Sequence, residues 1–384
     1  MLSTVKRLEV TYKPVNDSNS FTNGDIVAGE VTLEAAKDFQ IGSLFIKFKG
    51  KAEVRWTERH GKTTHVYHAK DKYFSVRHYF ILDKNGKGND RQTLVTNENS
   101  QTYCSVVAPG CHVYPFSFQI PFQDLPSSFS GADGKIVYLL EAVLSRSMRI
   151  DTKHSTKINF VSRTNMNTVT WLQTPQHESK DKKIFTSGSV AMDVNLEKMG
   201  FHQGEGLKVV AFIKNSSSRE VKLKYCVYRK HSFFARGKRR LHTNDLLKEV
   251  GDPIPPSAEE TVTRVITIPH DLEPSVLNCN IIKVEHRLRV YLDVKYASDP
   301  EIKFPIVILP AFQASAALPP PPAAAATAPP AAPPFSSGFN PNPPVWGYGP
   351  QPQQPPVVPN PSESPPPYGA YAMYPSLTDF DKKY

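Results

Sequence analysis

The chain has 384 residues, of which 35 are proline, and its 46 lysines and arginines outnumber 36 acidic residues to give a formal net charge of +10. Such a length suggests two or three domains with cores of ordinary size. The basic balance favours acidic partners such as phosphorylated segments, anionic lipid headgroups or nucleic acid, without choosing among them. The opening residues, Met1 to Arg7, hold no apolar core for a signal peptide, and no apolar run reaches the ~18 residues of a membrane span. A cytosolic protein is therefore expected. Cys104, Cys111, Cys226 and Cys279 show no C-x-x-C pairing, which argues against a zinc ribbon or a disulfide framework and for free, buried thiols.

Along the chain, Leu44, Ile46, Phe48, Ala52, Val54 and Trp56 are apolar at even positions, the period of two of a half-buried strand. The polar stretch 57–102 then reads as an insertion. Its His60, His65, His68 and His78 have no accompanying i, i+2 pair, and solvated histidines explain them better than a metal site. Tyr114, Phe116, Phe118 and Ile120 restore the alternation, and 136–144 is an apolar run interrupted by Glu141. Residues 190–196, 221–227 and 262–268 alternate likewise. The clearest case is 282–296, with Val284, Leu288, Val290, Leu292 and Val294 on one face and Lys283, Glu285, Arg287, Arg289, Asp293 and Lys295 on the other. Antiparallel strands with one wet face, punctuated by Gly, Pro, Asn and Ser, predict an all-β protein built of sandwiches.

An internal repeat sets the domain count. Phe21-Thr22-Asn23-Gly24-Asp25 is echoed by Phe201-His202-Gln203-Gly204-Glu205. Ile120-Pro121 with Pro126-Ser127 is echoed by Ile268-Pro269 with Pro274-Ser275 at the same spacing. Two copies of one sandwich follow, over 1–165 and 184–310, with 166–183 as a hinge and 311–384 as a tail. The second copy carries the densest basic segment, Arg229, Lys230, Arg236, Lys238, Arg239 and Arg240 within twelve residues. It reads either as a solvated strand end or as a site for an acidic ligand such as an anionic lipid surface.

The tail holds 21 of the 35 prolines and nets −1, so the remainder of the chain carries +11. Its composition cannot bury enough apolar surface to fold and predicts disorder. Near its end stands Pro365-Pro366-Pro367-Tyr368. Consecutive prolines hold a polyproline II helix, so little further order is lost on docking. In the Pro-Pro-x-Tyr pattern Pro365 and Pro366 would lie in the aromatic groove of a WW domain, with Tyr368 in a neighbouring pocket. Pro343-Pro344-Val345-Trp346 repeats the prolines with Trp in place of Tyr, a weak second site at best. Tyr374-Pro375-Ser376-Leu377 is similar to segments read by ALIX-like adaptors and also fits the loose Tyr-x-x-apolar endocytic signal through Tyr374 and Leu377.

Taken in order, the motifs resemble a known family. In the first half they are Gly24-Asp25-x-x-x-Gly29-x-Val31, Leu44-x-Ile46-x-x-x-Gly50-x-Ala52-x-Val54-Arg55-Trp56-Thr57-Glu58 and Tyr114-x-Phe116-x-Phe118-x-Ile120-Pro121. In the second they are Gly200-Phe201-x-x-Gly204-Glu205, Ile213-x-Asn215, Phe234-Ala235-Arg236-Gly237-Lys238 and Ser275-x-Leu277-x-Cys279-x-Ile281-Ile282. The chain resembles the arrestin domain-containing proteins, or α-arrestins, over most of residues 1–310. The resemblance implies two arrestin-type, immunoglobulin-like sandwiches in tandem and an adaptor function. The sandwiches would engage membrane-protein cargo such as receptors or transporters, and the tail would recruit WW domains of HECT-type ubiquitin ligases for endocytosis and endosomal protein transport. Lys6 and Arg7 fall in the first strand, where the wider family keeps basic residues that meet phosphate on cargo. The resemblance also admits a thioredoxin-binding regulator, using Cys226 or Cys279, or a coat-like sorting subunit. No nucleic acid, metal or cofactor is expected, and the absence of any catalytic motif argues against an enzyme.

Overall fold

The computed structural model describes residues 4–82, 106–162, 169–184 and 188–311, and the regular structure among these is strand apart from one 3₁₀ turn. In the first half they are β1 (Val5–Tyr12), β2 (Ser20–Phe21), β3 (Ile26–Ala35), β4 (Phe39–Gln40), β5 (Ser43–His60), β6 (Thr63–Leu82), β7 (Val106–Val107), β8 (Gly110–Gln119), β9 (Phe129–Ser130), β10 (Gly134–Ser145) and β11 (Thr152–Phe160). The second half holds β12 (Gln176–Ile184), β13 (Gly188–Leu196), β14 (Gly200–His202), β15 (Gly206–Ser217), β16 (Val221–Ala235), β17 (Lys238–Ile254), β18 (Ala258–Thr267), β19 (Ile282–Asp293) and β20 (Glu301–Leu309). The period of two becomes burial: β5 buries Leu44, Ile46, Phe48, Ala52, Val54 and Trp56. In the first half a sheet of order β1-β3-β8 and one of order β2-β11-β10-β5-β6 share a core. In the second, β12-β13-β15-β18 and β14-β20-β19-β16-β17 do the same.

The sequence echoes mark equivalent corners. β2 and β14 each run parallel to the last strand of their own half, Phe21 opposite Phe160 and Phe201 opposite Ile308. Gly24 and Gly204 both turn at φ +83°, where a side chain would run into the ring of Phe122 or of His270. The acid after each glycine closes the corner: Thr22 N–H donates to Asp25 at 2.8 Å and His202 N–H to Glu205 at 2.7 Å. Downstream, Ser128 and Ser275 play the same part, their hydroxyls accepting from Phe160 N–H and Ile308 N–H at 2.9 Å. The echo therefore slips by one residue, because the letters align Ser127 with Ser275.

Three expectations need correction. The polar stretch from residue 57 is no insertion as far as residue 82: it is the tip of β5 and all of β6, a hairpin turning at Gly61 (φ +62°). The second half has its counterpart in β16 and β17, turning at Arg236-Gly237. β6 is an edge strand wet on most of both faces, so its ladder forms without the alternation that a core demands. The stretch expected as a hinge, 166–183, carries a 3₁₀ turn (Thr170–Gln173) that buries Leu172 and most of β12, which pairs along its length with β13. Here too an exposed edge strand looked like a polar linker. Finally, Cys226 and Cys279 are buried but Cys111 is exposed, because it lies at an outward position of β8; Cys104 lies outside the described residues.

Candidate functional site

Of the expected site residues, Pro365, Pro366, Tyr368, Tyr374, Pro375 and Leu377 lie outside the described residues, as does Trp346. What the structure places is the basic segment, at the tip of the β16–β17 hairpin. The tip closes with a two-residue turn, Ala235 opposite Lys238, in which Arg236 (φ +50°) and Gly237 (φ +72°) both adopt left-handed backbone. Below the turn, Phe233 and Ala235 are buried in the core of the first sandwich rather than in that of their own. The Phe233 ring lies 6.2 Å from that of Phe129 and 5.9 Å from His242.

With the hairpin seated there, most of its cations meet carboxylates. Arg229 donates to Glu273 at 2.9 Å, and His231 lies 2.7 Å from the same oxygen. Arg239 grips the Ser232 hydroxyl at 2.8 and 3.2 Å, with Glu285 at 3.9 Å. Arg240 reaches into the first sandwich, 3.3 Å from Asp133 and 3.8 Å from Glu58, and His242 lies 2.5 Å from Asp133. Partly exposed pairs of this kind contribute roughly 0–1 kcal/mol each. Their main effect is to fix the direction in which the hairpin crosses between the sandwiches.

The segment is thus not a single patch. Arg236 and Lys238 project from the exposed turn, whereas Arg229, Arg239 and Arg240 point at acids. Lys6 and Arg7 lie apart, on β1 of the three-stranded sheet, paired with Glu34 at 3.2 Å and with Glu9. The histidines scatter along the β5–β6 hairpin: His60 and His65 meet edge to face, His68 lies 3.4 Å from Glu53, and His78 packs beside Phe80 with its pKa lowered by burial.

Sequence reasoning missed Asp133, Glu273 and His242, which come from separate stretches and carry no motif, and it named Glu58 only as a letter of the family motif, not as a partner for these cations. The only signal for them was the density of cations that needed acids nearby. It also missed His286 on β19, which is 1% exposed. Its Nδ1 lies 2.9 Å from the Ser275 hydroxyl, and its Nε2 is buried without a partner. Burial, followed by the charges of Arg229 and His231, lowers its pKa to about 3.

Two sandwiches of one plan, each with a short strand parallel to its last and a glycine corner followed by an acid, define the arrestin-type tandem. Comparison with known families agrees: "Arrestin (or S-antigen), N-terminal domain" matches residues 9–167 and "Arrestin (or S-antigen), C-terminal domain" matches 186–311. The chain belongs to the arrestin family, and its similarity to arrestin domain-containing proteins is consistent with the α-arrestin branch. It is 29% identical to Arrestin domain-containing protein 4 of Mus musculus over 309 residues, 79% of this chain and 72% of that protein. To the Homo sapiens protein of the same name it is 29% identical over 293 residues, 75% and 68% of the two chains. Thioredoxin-interacting protein of Homo sapiens is 24% identical over 313 residues, 80% and 75%. Among the described residues no helix is long and apolar enough to cross a membrane.

Proposed function

We propose that this arrestin-family adaptor-type protein couples a membrane-protein cargo to a HECT-type ubiquitin ligase. The sandwiches hold the cargo, Pro365, Pro366 and Tyr368 engage a WW domain of the ligase, and the cargo is ubiquitinated, internalised and sorted through endosomes. One observation carries the reading: a tandem of arrestin domains is followed in the same chain by a proline-rich stretch that holds Pro-Pro-Pro-Tyr. Consecutive prolines restrict the backbone and so lower the entropy lost on docking, and Tyr368 would supply the ring that fills the pocket. Tyr374, Pro375 and Leu377 are proposed as a further contact for an endosomal sorting adaptor.

A tail peptide spanning Tyr368, titrated into a panel of WW domains, tests the reading together with cargo ubiquitination by the full protein. Tyr368→Ala should abolish both, and Pro367→Ala should matter less because position x is permissive. If Tyr368→Ala leaves both intact with Trp346 also dispensable, the tail is a spacer and the adaptor reading fails. The thioredoxin-binding alternative rests on relatives that carry that name. It requires a reactive thiol at Cys226 or Cys279. Both are buried, and burial raises the Cys226 pKa, the opposite of an activated thiolate.

A further inference from the structure

The turn from β10 to β11, Arg146-Ser147-Met148-Arg149-Ile150-Asp151, exposes two large apolar side chains almost completely, Met148 at 102% and Ile150 at 93%. Arg149 N–H donates to the Arg146 carbonyl at 3.3 Å, which closes a β-turn with Met148 in its third position at φ +54°. Glycine or asparagine ordinarily occupies that position, because a side chain there is strained. Met148 is therefore unfavourable twice over, in its backbone and in its hydration, and among the described residues no contact compensates. The base of the turn is fastened: the Arg146 guanidinium lies 5.8 Å above the Phe39 ring and 3.4 Å from the Thr152 hydroxyl. Beside the apolar tip in the chain are two exposed cations, Arg149 and Lys153, against one carboxylate, Asp151, which lies 3.9 Å from Lys153.

We infer that this turn is a membrane-contacting tip, in which Met148 and Ile150 enter the headgroup boundary of an anionic leaflet while Arg149 and Lys153 meet its charges. A lipid surface suits the geometry better than a protein pocket. The two side chains protrude from a convex turn, and a leaflet takes up such tips without shape complementarity, whereas the surrounding cations favour negative headgroups. The site lies on the first sandwich, apart from the β16–β17 tip whose cations are largely occupied by acids. Contact through two side chains is weak and reversible, so it would assist a cargo contact rather than replace one.

Flotation of the full chain with phosphatidylcholine vesicles, with and without phosphatidylserine and at low and high salt, tests this. Wild type should bind the anionic vesicles preferentially and lose binding as salt rises. Met148→Gly removes the apolar tip and relieves the backbone, so binding should fall about tenfold while the thermal midpoint holds or rises. Ile150→Ser should act in the same direction, the double variant should lose binding, and Arg149→Glu should weaken it about fivefold or more. Tyr368→Ala should float like wild type, which separates this result from the ligase reading. Binding unchanged in the Met148 and Ile150 variants would overturn the inference. So would a wild type that binds no vesicle, an outcome that would make a protein the occupant of the tip.

Discussion

His286 ties the second sandwich to pH through one buried ring. It occupies an inward position of β19 directly opposite Arg229 on β16; Arg229 and His231 are the titratable groups that act on it, and both contact Glu273. Its folded pKa of about 3 lies below the ordinary value of 6.5, so between those values the unfolded chain holds a proton that the folded chain refuses. The stability contributed by the neutral ring is complete above pH 6.5 and is lost as pH falls toward 3, at up to about 1.4 kcal/mol per pH unit. The thermal midpoint should drop between pH 7 and pH 5. His286→Gln can still accept from Ser275 and should give a flatter profile at a lower starting stability. Equal slopes for the two proteins would show that other groups set the pH dependence. The apolar members of β19 could be read from alternation, but a polar ring on the inward face looks like an interruption until Ser275 is seen beside it.

At the scale of elements, the β16–β17 hairpin is where pattern and packing part company. Its strand alternation and its cations could be read directly. The use made of them could not, because Glu58 and Asp133 lie more than a hundred residues away and only the tertiary fold brings them close. The same blindness covers β6, β12 and β17: strands at sheet edges keep their ladders while both faces stay wet, so no period of two betrays them. By contrast the glycine corners were visible, since φ +83° and the reach of the following acid constrain letters that lie next to one another. Phe233→Ala tests the hairpin. It removes a fully buried ring from the core of the first sandwich and should cost about 3–5 kcal/mol in chemical denaturation. Arg236→Ala or Lys238→Ala, at the exposed turn a few residues away, should stay within about 0.5 kcal/mol. A Phe233→Ala protein as stable as these two would mean that the tip merely rests on the first sandwich.

Across the two sandwiches the dependence is one-sided. The second core draws only on residues between Ile184 and Ile308. The first contains Phe233, Ala235, Val276, Cys279, Ile282 and Val284 alongside its own strands. Around these, Tyr73 donates to Cys279 at 3.3 Å, Asn278 to Asp124 at 2.7 Å and Asn280 to Asp71 at 3.0 Å, so polar contacts ring the shared apolar centre. Sequence division at the linker conceals this, because the repeat makes the halves look equivalent. The prediction concerns the halves made separately. Residues 169–311 keep their whole core and should unfold cooperatively near the midpoint of the intact protein, although the bared Phe233 and Ile282 should promote self-association. Residues 1–165 lose six buried side chains from their core and should be expanded or aggregated, with shallow denaturation. Adding the second half in trans should restore a cooperative transition, because the missing side chains belong to segments that it alone supplies. A first half that unfolds as sharply and as late as the intact protein would show that its own strands suffice and that the shared centre contributes nothing to folding.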